Sequence, residues 1–302
     1  MYGQRTGMKG VWILCLLPLT VIATNRVVVT FDHPANVLSP PPDTTIVKQY
    51  GRRLVLDLGR PVEIISDAEW LGKLLGGTVE EDMILSHMEY NFSAALLSIP
   101  NASDDGQWNL EDGYGINVGD DWEITNGSGI VAVIDSGISI EALSIFNRLL
   151  PGYDFISDPS ISNDGDGRDN DPIDPGDEGP DCSTSTWHGT KVSSILASNK
   201  TDLVHGIATE VGLLSVRVLG QCAEGYASDL ADAIVWSIGG KIKGVSTNTN
   251  SAQVISMSLA GQGDCPSFLQ SAVTQAIEAG CLILAAAGND AQSVTGYFPL
   301  LL

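Results

Sequence analysis

Gly129-Ile130-Val131-Ala132-Val133-Ile134-Asp135-Ser136-Gly137 is an unbroken apolar run that closes on a carboxylate and a Ser-Gly turn. The run is β-branched and too short for a helix. It predicts a strand buried on both faces, the kind that parallel sheets contain. A carboxylate at the carboxyl end of such a strand stands where open α/β sheets place their ligands. Taken alone, Asp135 also reads as a surface residue opening a turn.

The segments that follow settle the fold class. Val211 to Gly220 reads as a strand, Ser228 to Ile238 as a helix capped by Ser228, and Val254 to Leu259 as a strand ending at Ala260-Gly261. Pro266 to Glu278 reads as a helix, with Pro266 near its start and Gly280 after its end. Cys281 to Gly288 is a further strand. Strands alternating with helices imply βαβ units, a parallel sheet and right-handed crossovers. His188 to Ser198 reads as a helix with the imidazole in its first turn, and Val192, Ile195 and Leu196 form its buried face.

Trp187-His188-Gly189-Thr190 and Ala285-Ala286-Ala287-Gly288-Asn289-Asp290, taken with the Asp135 strand, resemble the subtilisin-like serine proteases. The resemblance covers about Gln107 to Asp290, and Gln107-Trp108 with Asp121-Trp122 is similar to that family's lead-in segment. It implies an α/β fold with a parallel-sheet, three-layer domain. It also implies that Asp135 and His188 are catalytic, in the chain order Asp before His that distinguishes this family. Asn289 matches the oxyanion donor, and Ser258, Leu259 and Gly261 match the strand that lines the substrate. Lys191, Ser193-Ser194 and Ala260 depart from the family pattern. So does the nucleophile: no Gly-Thr-Ser-Met-Ala occurs, and the sequence ends at Leu302, 13 residues beyond Asn289. The expectation is a serine endopeptidase domain, cut short before the catalytic Ser, that does not hydrolyse peptides at a triad rate. In subtilisin itself, loss of the Ser costs about 2 × 10⁶ in kcat.

Asp158 to Asp181 is the most biased stretch, an acidic loop punctuated by glycine and proline. Asp164, Asp166, Asp169, Asp171, Asp174 and Asp177 are candidate ligands for Ca²⁺, which takes oxygen donors. The alternative is a solvated acidic loop. Acidic inserts at this position in secreted members of the family favour the metal.

With 302 residues and 43% hydrophobic content the chain has material for a large domain and a small one. A formal net charge of −22 argues against a nucleic-acid surface. Residues 1–23 read as a signal peptide, with a short apolar core from Val11 to Ala23, so the chain is expected to be secreted, with no membrane span after its removal. Residues 24–105 read as a small α+β domain. Its strands are Arg26 to Phe31 and Arg53 to Leu58, and Asp67 to Leu75 is its helix. By position and size it resembles the inhibitory propeptide of secreted subtilases, with a cleavage expected near Pro100 to Gln107. Residues 106–302 are then the partial peptidase domain. Four cysteines remain after the signal peptide, an even count that suggests two disulfides; three connectivities are possible, and pairing of neighbours along the chain selects Cys182–Cys222 and Cys265–Cys281. The partners implied are a protein or peptide substrate and the chain's own propeptide. A different class stands beside this reading: a non-catalytic, secreted calcium-binding or inhibitory protein on the same half-fold.

Overall fold

A computed structural model describes residues 25–31, 40–50, 52–60, 62, 70–71, 74–75, 77–87, 107–110, 115–118, 121–199, 204–289 and 297–298. The expected signal peptide, most of the Asp67 to Leu75 helix and all of the expected cleavage stretch except Gln107 lie outside them. Of that helix, Trp70, Leu71, Leu74 and Leu75 are described and helical.

The N-terminal unit is an antiparallel sheet of β1 (Arg26–Thr30), β2 (Thr45–Tyr50), β3 (Arg53–Asp57) and β4 (Thr78–Glu81), in the order β2-β3-β1-β4. Its strands alternate with period two. Val27, Val29, Leu54 and Leu56 turn inward onto Leu71, while Val28 and Val55 turn outward into the main core. Both faces are therefore dry, which explains the continuous apolar runs. β5 (Ile84–His87) leaves this sheet and pairs elsewhere.

β6 (Ile130–Asp135) is the quoted apolar run. β7 (Ile138–Ser139), β8 (Leu149–Asp154), the short α1 (Pro159–Ser162), β9 (Ile173–Asp174) and α2 (His188–Ala197) follow it. Next come β10 (Gly212–Arg217), β11 (Glu224–Tyr226), α3 (Ala227–Ser237), β12 (Val254–Met257), β13 (Leu259–Gln262), α4 (Ser267–Glu278), β14 (Leu282–Ala285) and β15 (Tyr297–Phe298). The main sheet has five strands in the order β14-β12-β6-β10-β8, and its pairs are parallel. β6 lies at its centre. Ala132 and Ile134 face the core formed with α3 and α4, and Val131 and Val133 face α2. This is the three-layer α/β arrangement.

Four sequence expectations are corrected. Ile195 is 49% exposed; the inner face of α2 keeps Val192 and Leu196, half-buried against the Val131 cluster, and is completed by the buried Gly189, Ser193, Ser194 and Ala197. Small side chains let that helix lie close to the sheet. Ser228 does not cap α3; its N–H and hydroxyl both donate to Asp82 of the N-terminal unit, at 2.8 and 2.7 Å. The strand predicted from Val254 to Gly261 is two strands: β12 stays in the parallel sheet, and β13 leaves it to pair with β5 and β15. The Cys182–Cys222 disulfide is present, but Cys265 and Cys281 are not bonded to each other. Cys281 is buried among apolar residues at the start of β14, whereas Cys265 sits ahead of α4.

Candidate active site

β6 carries its apolar residues into the core and delivers Asp135 at its carboxyl end, 1% exposed. α2 opens beside it with His188. The His188 Nδ1 lies 2.8 Å from Asp135 Oδ1 and 3.0 Å from Oδ2. A carboxylate only accepts, so Nδ1 carries the proton and the basic lone pair of the neutral ring is at Nε2.

The residues between these two side chains explain the closeness. Gly189 packs backbone to backbone on the turn after β6: a Cβ there would lie 2.3 Å from the Gly137 carbonyl oxygen and 2.9 Å from its nitrogen. Gly137 itself has a φ of +96°, and a Cβ on it would meet the Pro172 carbonyl oxygen at 2.4 Å. Ser136 stitches the contact. Its hydroxyl donates to Asp174 Oδ2 at 2.8 Å and accepts from the Gly189 N–H at 3.0 Å. Its own N–H donates to Asp135 Oδ1 at 2.8 Å. Thr190 Oγ1 accepts from the Ser139 N–H at 2.8 Å. Asp-Ser-Gly and His-Gly-Thr are thus one interlocked unit. The supporting roles of Ser136, Thr190 and Asp174 were not read from the sequence, because their partners are distant along the chain.

Behind the turn, the fully buried Arg217 of β10 is the register partner of Asp135. Its guanidinium donates to Asp154, to Asp164 at 2.6 Å and to the Ser162 carbonyl. Burial first raises the Asp174 carboxyl above its ordinary range, and Asp177 adds to this, while Ser136, Gly176 and Arg217 pull the other way.

The acidic loop uses its carboxylates locally. Asp164 takes Arg217, Asp169 accepts from the Asp171 N–H, and Asp171 accepts from the Ile173 N–H. Asp174 accepts from Ser136 and Gly176, and Asp177 accepts from the N–H and hydroxyl of Thr186. Asp166 is exposed. Among the described residues no three acidic, His or Cys side chains gather as a metal site. As arranged, this donor set does not fit a calcium ion.

Asn289 follows β14 and Gly288, whose φ is +91°. β14 and β6 both flank β12 in parallel, so Asn289 and Asp135 emerge at the same end of the sheet. Ser258 lies at that end too, between β12 and β13. Leu259 and Gly261 are buried within β13. β5 runs between β11 and β13, antiparallel to both, with Ser86 opposite Glu224 and Ala260 and with His87 opposite Leu259. The edge expected to receive a peptide is therefore held by the chain's own strand. β5 runs toward Ser258, that is, toward the end of the sheet that bears Asp135 and His188.

Comparison with known proteins agrees with this arrangement. An extracellular protease of Xanthomonas campestris pv. campestris is 43% identical over 196 residues, covering 61% of this chain and 33% of that protein. An extracellular basic protease of Dichelobacter nodosus is 39% identical over 209 residues, covering 64% of this chain and 34% of its own length. A solved protease from Pseudoalteromonas arctica superposes with a TM-score of 0.59 at 41% identity, over 65% of this chain and 60% of that one. The chain spans about a third of the length of these two curated relatives. The Subtilase family profile matches residues 127–299. With Asp135 and His188 joined at the carboxyl edge of a parallel sheet and more than half of its length matched to that profile, the chain belongs to the subtilase family.

Proposed function

We propose that these residues form part of a secreted serine endopeptidase that hydrolyses peptide bonds in proteins. The observation that carries the reading is the pair of contacts from His188 Nδ1 to the Asp135 carboxylate, at 2.8 and 3.0 Å. Asp135 fixes the ring and stabilises the imidazolium. His188 takes the proton of a serine hydroxyl through Nε2 as the hydroxyl attacks the scissile carbonyl, then returns it to the leaving amine. The Asn289 carboxamide donates to the developing oxyanion; in subtilisin, where this was measured, loss of that donor costs about 2.7–4 kcal/mol. β13 aligns the substrate by strand addition. No serine of this sequence stands in a Gly-Thr-Ser-Met-Ala context, so the nucleophile is assigned to none of them.

Residues 1–23 are proposed as a signal peptide and the unit from residue 24 onward as an inhibitory propeptide. β5 supports the second proposal, because it occupies the cleft as a substrate strand would. The processing site is proposed to fall near Pro100 to Gln107, of which Gln107 alone is described.

Fluorophosphonate labelling tests the enzyme reading. The chain alone should not label. The chain continued by the Gly-Thr-Ser segment of a relative should label, and His188→Ala or Asp135→Asn should abolish the labelling. Unchanged labelling in both variants would refute the assignment.

Calcium binding by the loop from Asp164 to Asp177 is a separate proposal that rests on its carboxylate density. It requires the carboxylates to turn from their present partners and gather. Addition of Ca²⁺ to chelator-treated protein should raise the melting temperature; a flat titration discards it.

A further inference from the structure

Lys48 of β2 and Arg53 of β3 reach from the N-terminal sheet to α3. There they meet Asp229 and Asp232, neither of which has any exposed surface. Lys48 Nζ lies 2.7 Å from Asp229 and 3.3 Å from Asp232, and Arg53 Nη2 lies 3.0 Å from Asp232. The peptidase domain contributes one cation of its own, Arg168, at 2.5 Å from Asp229 and 2.8 Å from Asp232. Asp229 also accepts from the N–H and hydroxyl of Ser157, each at 2.9 Å. Two dry carboxylates on one face of α3 thus share three cations, two of them supplied by the other unit.

We infer that this cluster is an ionic latch: the Asp229/Asp232 pair of α3 is a recognition surface for a basic strand pair, matched in this chain by Lys48 and Arg53, and it sets how firmly the N-terminal sheet stays seated. The inference rests on the reading of that sheet as a releasable propeptide and adds the chemistry of its hold.

Other contacts cross the same boundary: Arg26 pairs with Asp158, which is partly exposed, and lies over the Tyr226 ring, and β5 pairs through its backbone with β11 and β13. The apolar and helix-start contacts are not selective. Val28 and Val55 bury apolar area that any hydrophobic sheet face would supply. Glu80 and Asp82 accept from the first N–H groups of α4 and α3, as a carboxylate does at any helix N-terminus. The cation pair is different. A sheet with neutral residues at these two places would seal two carboxylates from water and take away two of the three cations described beside them, leaving Arg168. Removing one side of a buried ion pair is strongly destabilising, so such a sheet is rejected. When the sheet lifts, all four side chains return to water, where salt screens their attraction. Ionic strength therefore favours the open form.

Hydrogen exchange on the full chain, at low and high sodium chloride, tests the latch. Wild type should exchange faster in β1–β5 at high salt. Lys48→Met with Arg53→Met should speed that exchange by about 150-fold or more at low salt, the lower end of the scale of a broken buried pair. Its salt dependence should be shallower rather than absent, because Arg26–Asp158, at 3.0 Å, still joins the two units. Protection in β6 and β10 should be unchanged. Adding Asp232→Asn, which leaves one carboxylate for Arg168, should restore much of the lost protection. Val28→Ala should speed exchange but keep the wild-type salt slope. Exchange within two-fold of wild type in the double variant, or an unaltered salt slope, overturns the inference. Should the double variant lose protection in β6 as well, Lys48→Met alone decides by the same comparison. Exchange does not read hydrolysis, so the latch and the protease assignment stand or fall separately.

Discussion

Gly189 and Gly137 meet with no room between them: a Cβ on Gly189 would lie 2.3 Å from the Gly137 carbonyl oxygen. This contact sets the spacing of His188 and Asp135, because each glycine is within two residues of its side chain. Gly189→Ala should force the helix start off the turn. Overpacking of this kind costs about 1–3 kcal/mol. The measurement is urea unfolding, and an unchanged midpoint would reject the contact as a determinant.

Asp82 and Glu80 make the same pair of hydrogen bonds to the two helix starts, but in different surroundings. Asp82 is fully buried against Ser228, whereas the Ser267 end is exposed. Asp82→Ala strands a buried N–H and hydroxyl and should cost about 1–3 kcal/mol. Glu80→Ala returns its partners to water and should cost about 0.5–2 kcal/mol, toward the low end. Melting both variants side by side checks the order; equal losses would contradict it.

The Cys182–Cys222 bond ties the end of the acidic loop to the turn before β11, across a sequence separation of 40. The chain-entropy account of such a closure gives about 4 kcal/mol. Cys182→Ser should therefore lower stability by a large fraction of the total, and reductant should do the same to wild type but not to the variant. Equal sensitivity of the two proteins to reductant would show that the bond does not carry this load.

Acid should loosen the N-terminal sheet. Burial works against ionised Asp229, but Lys48 and Arg168 outweigh it and hold the carboxyl well below the usual range. A folded pKa below the unfolded one gives stability that is present above about pH 3.9 and is lost as pH falls toward the folded value. Asp82 works the other way: burial raises its carboxyl, Asp229 adds to this, and Lys48 and Ser228 lower it. Its ionisation therefore opposes the fold as pH rises. Thermal melts from about pH 5 to about pH 3 should fall in wild type and fall less in Asp229→Asn. Superimposable curves would rule out this origin.

The legible parts of this protein were those in which one short segment does one job. The run from Ile130 to Asp135 must be dry on both faces, so its composition announced a central parallel strand. His188-Gly189-Thr190 announced a helix start because its glycine and hydroxyl serve the same turn. What escaped were bonds between distant segments. Asp82 caps α3 across 146 residues, and nothing near Asp82 signals that partner. Composition displays the carboxylates of the acidic loop but not their partners: Ser136, Thr186 and Arg217, all outside it, engage Asp174, Asp177 and Asp164. Ile195 fitted the helical period yet faces outward, while Val192 and Leu196 beside it pack against the sheet.

β14 forms one rim of the main sheet, and Leu282 and Leu284 on it are 54% and 50% exposed. Among the described residues no strand pairs with its outer side, and exposed leucines on such a rim are adhesive toward an extended peptide that comes within reach. Protein concentration is therefore a variable in every measurement above: dilute samples will report the single molecule, and crowded ones will report clumping along that rim.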